Sequence, residues 1–159
     1  MMKNKKALII ALLFPIIVLG TLTAYRQYVF SHGDEVVLPI SGYDPRDLLA
    51  GHYLTYRIDY GVDGICAAYS PQQTGFVCLA PKMFSYTEPE NCSKLIRGVC
   101  NYGRFEAGIE RYYVSDDKAK YLEEQVRAKA ASIVLSVTPG GQAQVKDVLV
   151  NGRSWNRVD

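Results

Sequence analysis

The residues of this chain best equipped for chemistry are four cysteines, two histidines, and a few carboxylates and hydroxyls around them. Cys66, Cys78, Cys92 and Cys100 are even in number and fall within one stretch. Disulfide bonding is the expected chemistry if that stretch reaches an oxidising compartment. Four cysteines allow three pairings. The expected one is Cys66 with Cys78 and Cys92 with Cys100, because each bond closes a short loop in a turn-rich segment. Loops of that size contribute roughly 2–3 kcal/mol in the chain-entropy picture. A zinc site would need ligand spacing that is missing here, since there is no C-x-x-C and no nearby histidine pair. The same lack leaves a thioredoxin-like redox role without support. No metal and no cofactor is expected.

His52 is the histidine of the chain's main body, with His32 closer to the N-terminal segment. A catalytic histidine needs a positioned partner, and Asp44 or Asp47 would have to supply it across the intervening turn. The plainer expectation is a histidine at a strand start, bonded to turn backbone. No catalytic residue is therefore assigned.

What positions these groups begins with an anchor. Lys3, Lys5 and Lys6 precede Ala7–Ala24, a run without charge whose hydroxyls are Thr21 and Thr23. At about 1.5 Å per residue such a run spans roughly 27 Å, close to the hydrocarbon thickness of a bilayer. Pro15 in its middle is better tolerated in a membrane helix than in a soluble one. A cleaved signal peptide is the other reading, but cleavage after Ala24 would put Leu22 where a small residue is preferred. Tyr25, Arg26 and Tyr28 suit the outer interface of a span. The lysine flank keeps residues 1–6 in the cytoplasm and sends the remainder out, to a periplasmic or extracellular location on the plasma (inner) membrane.

The net charge of +2 divides unevenly. Three of the 18 basic residues lie in the tail, leaving 15 against all 16 acids, a net charge of −1 for the exported part. No basic stripe remains there, which argues against nucleic acid as a partner.

Residues 25–35 read as a linker and 36–159 as one β-rich domain. Val36–Ile40 is a short β-branched run, and Tyr43–Asp47 carries turn chemistry. Leu48–Gly51 closes a single helical turn. His52–Tyr60 alternates over nine residues, with Leu54, Tyr56, Ile58 and Tyr60 on the apolar face. Ile65–Tyr69 and Gly75–Ala80 are expected as a hairpin, Lys82–Tyr86 as a further strand, and Cys92–Cys100 as a small closed excursion. Phe105–Val114 returns to strand composition. Ser115–Asp116–Asp117 starts a helix that Ala119, Leu122, Val126 and Ala130 carry to about Ala131. Ile133–Val137 and Val145–Val150 form a last hairpin across Thr138–Gln142. The fold class is α+β: a mainly antiparallel sheet with one packed helix, preceded by one transmembrane helix.

Asp44–Pro45–Arg46–Asp47–Leu48–Leu49–Ala50–Gly51 leads into Gly51–His52–Tyr53–Leu54–Thr55–Tyr56–Arg57–Ile58. This order resembles the bacterial membrane-anchored proteins named for their GDYXXLXY motif. Gly51 and Tyr53 match that motif, while His52 replaces Asp, Tyr56 replaces Leu and Ile58 replaces Tyr. Glu110–Arg111–Tyr112–Tyr113–Val114 is similar to the family's E-R-Y-F-V, and Val148–Arg153 to its closing hydrophobic-D-G-R segment. The cysteine-bearing middle, about 61–103, looks like an addition. Tyr56 and Ile58 exchange one core residue for another, whereas His52 removes a carboxylate and any role it carried. The resemblance implies a single-pass protein without established activity, often encoded beside multi-pass membrane proteins.

Two functions follow as expectations. The first is a non-enzymatic binding or assembly module that docks a multi-pass membrane partner. The alternative is a signal-peptidase-like hydrolase with Ser41 as nucleophile and Lys82 as base. Its Ser-to-Pro spacing is one residue too long, and no apolar strand visibly buries the lysine. Tyr53, Tyr112 and Tyr113 could present an exposed aromatic face suited to protein contacts, although half-burial with a wet hydroxyl is the commoner state of tyrosine. Arg57, Arg104 and Arg111 have Asp59, Glu106 and Glu110 as possible cross-strand partners.

Overall fold

The computed structural model describes residues 3–42, 53–67 and 72–157. It divides into two units, Met1–His32 and Gly33–Asp159. The first is one helix, α1 (Lys3–Ser31), interrupted by no break at Pro15. The helix continues past Ala24 to Ser31, so residues 25–31 of the segment read as a linker are helical. Thr21 and Thr23 donate their hydroxyls back to carbonyls one turn earlier, which removes two polar groups from an apolar surface. Ile9–Ser31 is long and apolar enough to cross a membrane, and its most apolar stretch is not buried.

The second unit has one core between two sheets. β1 (Asp34–Ser41) lies between β9 (Ala131–Val137) and β3 (Arg57–Ile58), and β10 (Ala143–Val150) with β11 (Arg153–Ser154) completes a five-stranded antiparallel sheet. Alternation sends Val36, Leu38 and Ile40 inward from β1 and Ile133, Leu135 and Val137 inward from β9. A bulge between Val145 and Asp147 lets β10 keep both Val145 and Val148 on the inner side. The four-stranded sheet orders β5 (Lys82–Ser85), β4 (Gln73–Leu79), β6 (Leu95–Asn101) and β7 (Arg104–Glu106). Val77 and Ile96, both fully buried, join the same core.

Helix α2 (Asp116–Arg127) adds Leu122 and Val126 to that core. Ser115 occupies the N-cap position, yet its hydroxyl makes no capping bond. The helix ends four residues before Ala131. Lys129 takes a left-handed φ of +56°, its N–H reaching Val126 O and the Ala130 N–H reaching Gln125 O. This Schellman closure satisfies the last carbonyls and releases the chain into β9.

Three expectations for the middle of the chain are corrected. Ile65–Cys66 lies in a turn, and β4 pairs instead with β5 and β6. Cys92–Cys100 is no small excursion, since it contains most of β6, a strand inside the sheet. Phe105–Val114 is two short strands, β7 and β8 (Arg111–Tyr113), parted by a loop at Gly108, whose φ is +80°.

The disulfides also differ from the expected pairs. Cys66 bonds Cys100, and Cys78 bonds Cys92. Extended chain explains why. From Leu95 to Cys100 β6 advances about 3.3 Å per residue, which carries Cys100 well away from Cys92, whereas a disulfide needs Cα atoms within about 7 Å. Cys100 stands opposite Gln73 at one end of β4, and Cys78 stands near the other. Each end is therefore stapled to the loop beside it.

Candidate functional site

The two tyrosine-bearing stretches singled out in the sequence come together in space. β2 (Tyr53–Thr55) pairs with β8, setting Tyr53 opposite Tyr113, Leu54 opposite Tyr112 and Thr55 opposite Arg111. The alternating segment expected as one strand is thus split: residues 53–55 belong to this ribbon, and β3 belongs to the five-stranded sheet. Tyr56 stands at the crossing, its N–H donating to Glu110 O at 3.2 Å.

Tyr56 and Tyr60 are buried, as the alternation predicts, and Ile58 packs partly buried against the same core. The Tyr56 hydroxyl donates to Ile109 O. The Tyr60 ring meets Phe105 edge-on at 5.4 Å, while its buried hydroxyl makes no hydrogen bond among the described residues. Burial, and then the nearby Glu110 charge, pushes both phenols far above the ordinary tyrosine range. Both stay neutral at physiological pH and pack in the core, and Tyr56 also serves as a hydrogen-bond donor. Glu110 turns a carboxylate oxygen back to the Ala107 N–H at 2.6 Å, closing the loop between β7 and β8.

The closing segment reaches the same place. Trp155 opens a 3₁₀ turn (Trp155–Arg157) and donates its indole N–H to the Tyr112 hydroxyl at 3.1 Å. The two rings are edge-on at 6.0 Å, and the Lys118 ammonium of α2 lies 5.7 Å from the indole centroid. Sequence reasoning passed over Trp155; a lone tryptophan just past a terminal hairpin was the available signal.

Tyr113 is 72% exposed, as anticipated, but Tyr112 is half-buried. Of the charge pairs considered, Asp59 caps the Gly61 N–H and Glu110 caps Ala107. An ion pair the sequence did not suggest joins Lys146 to Glu35 at 2.6 Å, and it holds the Glu35 carboxyl below its usual range. Asp44, Pro45, Arg46, Asp47, Gly51 and His52 lie outside the described residues, as does the expected helical turn at 48–51. Ser41 stands opposite Arg57 at the end of β1. Lys82 stands opposite Leu79 in the other sheet, exposed, with its ammonium against Gly61. A Ser–Lys pair needs a buried lysine next to its serine. Among the described residues no three His, Cys, Asp or Glu groups gather as a metal would require.

One pair of substitutions separates the two buried phenols. Tyr56→Phe removes a donor and strands the Ile109 carbonyl, and a loss of about 1–3 kcal/mol is expected. Tyr60→Phe removes a hydroxyl that has no partner among the described residues, so its effect should be near zero or slightly stabilising. Urea unfolding of the two variants checks this ordering, and equal losses would contradict it.

The arrangement binds chain to chain: motif strand to motif strand, and both to the C-terminal turn. No curated protein and no solved structure gives a match to the chain. The family model described as GDYXXLXY protein matches residues 15–148, most of the chain including the cysteine-bearing middle, and the protein belongs to that GDYXXLXY family.

Proposed function

We propose that this protein is a membrane-anchored, extracytoplasmic binding or assembly module that docks a multi-pass membrane protein and performs no catalysis of its own. The observation that carries the reading is the pairing of an apolar helix with a doubly disulfide-bonded domain. Residues Ile9–Ser31 expose large side chains such as Ile10, Phe14 and Leu19, each more than 60% accessible. Such a surface prefers lipid to water by about 25 cal/mol per Å². Two disulfides imply an oxidising compartment for the rest. The lysines at the N-terminal end favour a cytoplasmic N-terminus.

A dual topology reporter fused after Asp159, combined with carbonate washing of membranes and an intact mass, tests the reading. Expected are an outward C-terminus, retention in the washed pellet, and a mass that still includes the anchor. A C-terminus facing the cytoplasm would refute the orientation, and loss of the first 24 residues would replace the anchor with a cleaved signal. Labelling of Ser41 by an acylating probe would refute the absence of catalysis.

A further inference from the structure

The two disulfides are nested. Cys66–Cys100 spans 34 residues and encloses Cys78–Cys92, which spans 14. An unfolded chain favours other pairs. Cys92 and Cys100 are 8 positions apart and Cys66 and Cys78 are 12 apart. The chance of closing a loop falls with about the three-halves power of its length. Cys92–Cys100 should therefore close about ninefold more often than Cys66–Cys100, and Cys66–Cys78 about fivefold more often. On the same weighting about three chains in five enter the sequential pairing, Cys66–Cys78 with Cys92–Cys100, and about one in five the native one. Export on the topology proposed above adds to the bias, since Cys66 and Cys78 emerge before Cys92 and Cys100.

The sequential pairing is incompatible with the fold. In the folded sheet the Cys92 Cα lies 5.7 Å from that of Cys78, whereas Cys100 stands opposite Gln73. Extended strand separates Gln73 from Cys78 by about 16 Å, and a disulfide needs Cα atoms within about 7 Å. A Cys92–Cys100 bond thus excludes the pairing of β4 with β6, and with it the seating of Val77 beside Ile96 in the core. Once that sheet has formed, Cys66, Cys78 and Cys100 are buried. Exchange therefore belongs to the unfinished chain and stops on folding.

We infer that the newly exported domain is a substrate for thiol–disulfide isomerisation, and that its transient partner is a reduced dithiol enzyme of the oxidising compartment. The inference rests on the extracytoplasmic reading above for its place and on the pairing alone for its chemistry. The exchange closes on itself in three steps. An enzyme thiolate attacks Cys92 of the Cys92–Cys100 bond, leaving a mixed disulfide and freeing the Cys100 thiolate. That thiolate attacks Cys66 of the Cys66–Cys78 bond, forms Cys66–Cys100 and frees the Cys78 thiolate. Cys78 then attacks Cys92 in the mixed disulfide, forms Cys78–Cys92 and releases the enzyme thiolate. Two bonds enter and two leave, so no oxidant or reductant is consumed.

Oxidative refolding of the reduced, urea-denatured full chain in detergent micelles tests it, with samples quenched by an alkylating reagent and mapped as linked peptides. Expected first are Cys66–Cys78 and Cys92–Cys100 in the majority of molecules. Under an oxidant without free thiol these pairs should persist. Reduced glutathione should convert them to the native pairs, and a purified C-x-x-C isomerase should speed that conversion several-fold. The variant with Cys78→Ala and Cys92→Ala can form one bond only, so its yield of Cys66–Cys100 should not depend on either thiol. Native pairs predominating in the first sample, or sequential pairs persisting in glutathione, would overturn the inference. So would native pairs reached equally fast without thiol, or a thiol requirement in the two-cysteine variant. An isomerase without effect would overturn the partner. A C-terminus facing the cytoplasm would instead remove the compartment and leave the refolding order standing.

Discussion

Replacing Cys66 and Cys100 together by alanine is expected to cost the folded domain about 4 kcal/mol, the chain-entropy value for a loop of this length. The bond spans 34 residues and encloses the second, which spans 14 and is worth about 3 kcal/mol on the same basis. Position adds to length. Both sulfurs of the outer bond are buried, Cys66 at 2% and Cys100 at 0% exposure, so two alanines also leave unfilled space. Cys92 is only half-buried, and losing the inner bond opens a loop at the sheet's margin. The outer pair should therefore lower the urea midpoint more than Cys78→Ala with Cys92→Ala. Non-reducing proteolysis and peptide mass mapping check the pairing itself. Peptides linking Cys66 to Cys78 would overturn the structure, and four free thiols in freshly extracted protein would overturn the oxidising compartment.

What could be read from sequence was whatever a local period dictates. The apolar run of α1, the stripe of Leu122 and Val126 on α2, and the alternation of β1, β9 and β10 each reveal themselves within a dozen residues, because burial on one face imposes the period. Partner choice is a different quantity. Residues 52–60 alternate cleanly, and nothing in that pattern says that the first part pairs with β8 and the second with β1. The disulfides failed for the same reason. Proximity in sequence suggested neighbours, and the extension of β4 and β6 carried those neighbours apart. The ordered motifs did place the chain in its family, yet the part around His52 lies outside the described residues, and the stretches that are described meet as a structural joint.

That joint carries the second large expected effect. Trp155→Ala should destabilise the domain by about 3–5 kcal/mol, the range for emptying a buried aromatic site. The indole is 8% exposed and belongs to the main core. It also supplies the hydrogen bond to Tyr112 and the face under Lys118, so its loss loosens β8, α2 and the C-terminal turn together. Trp155→Phe separates the contributions: it keeps most of the apolar volume and removes the N–H, and a cost nearer 1–2 kcal/mol is expected. Because Trp155 is the sole tryptophan, unfolding has to be followed by far-ultraviolet circular dichroism. An unchanged slope with a lower midpoint would mark a loss of stability in the folded state. If Trp155→Ala instead unfolds at the wild-type midpoint, the C-terminal turn is an appendage, and its packing on Tyr112 contributes nothing to the joint.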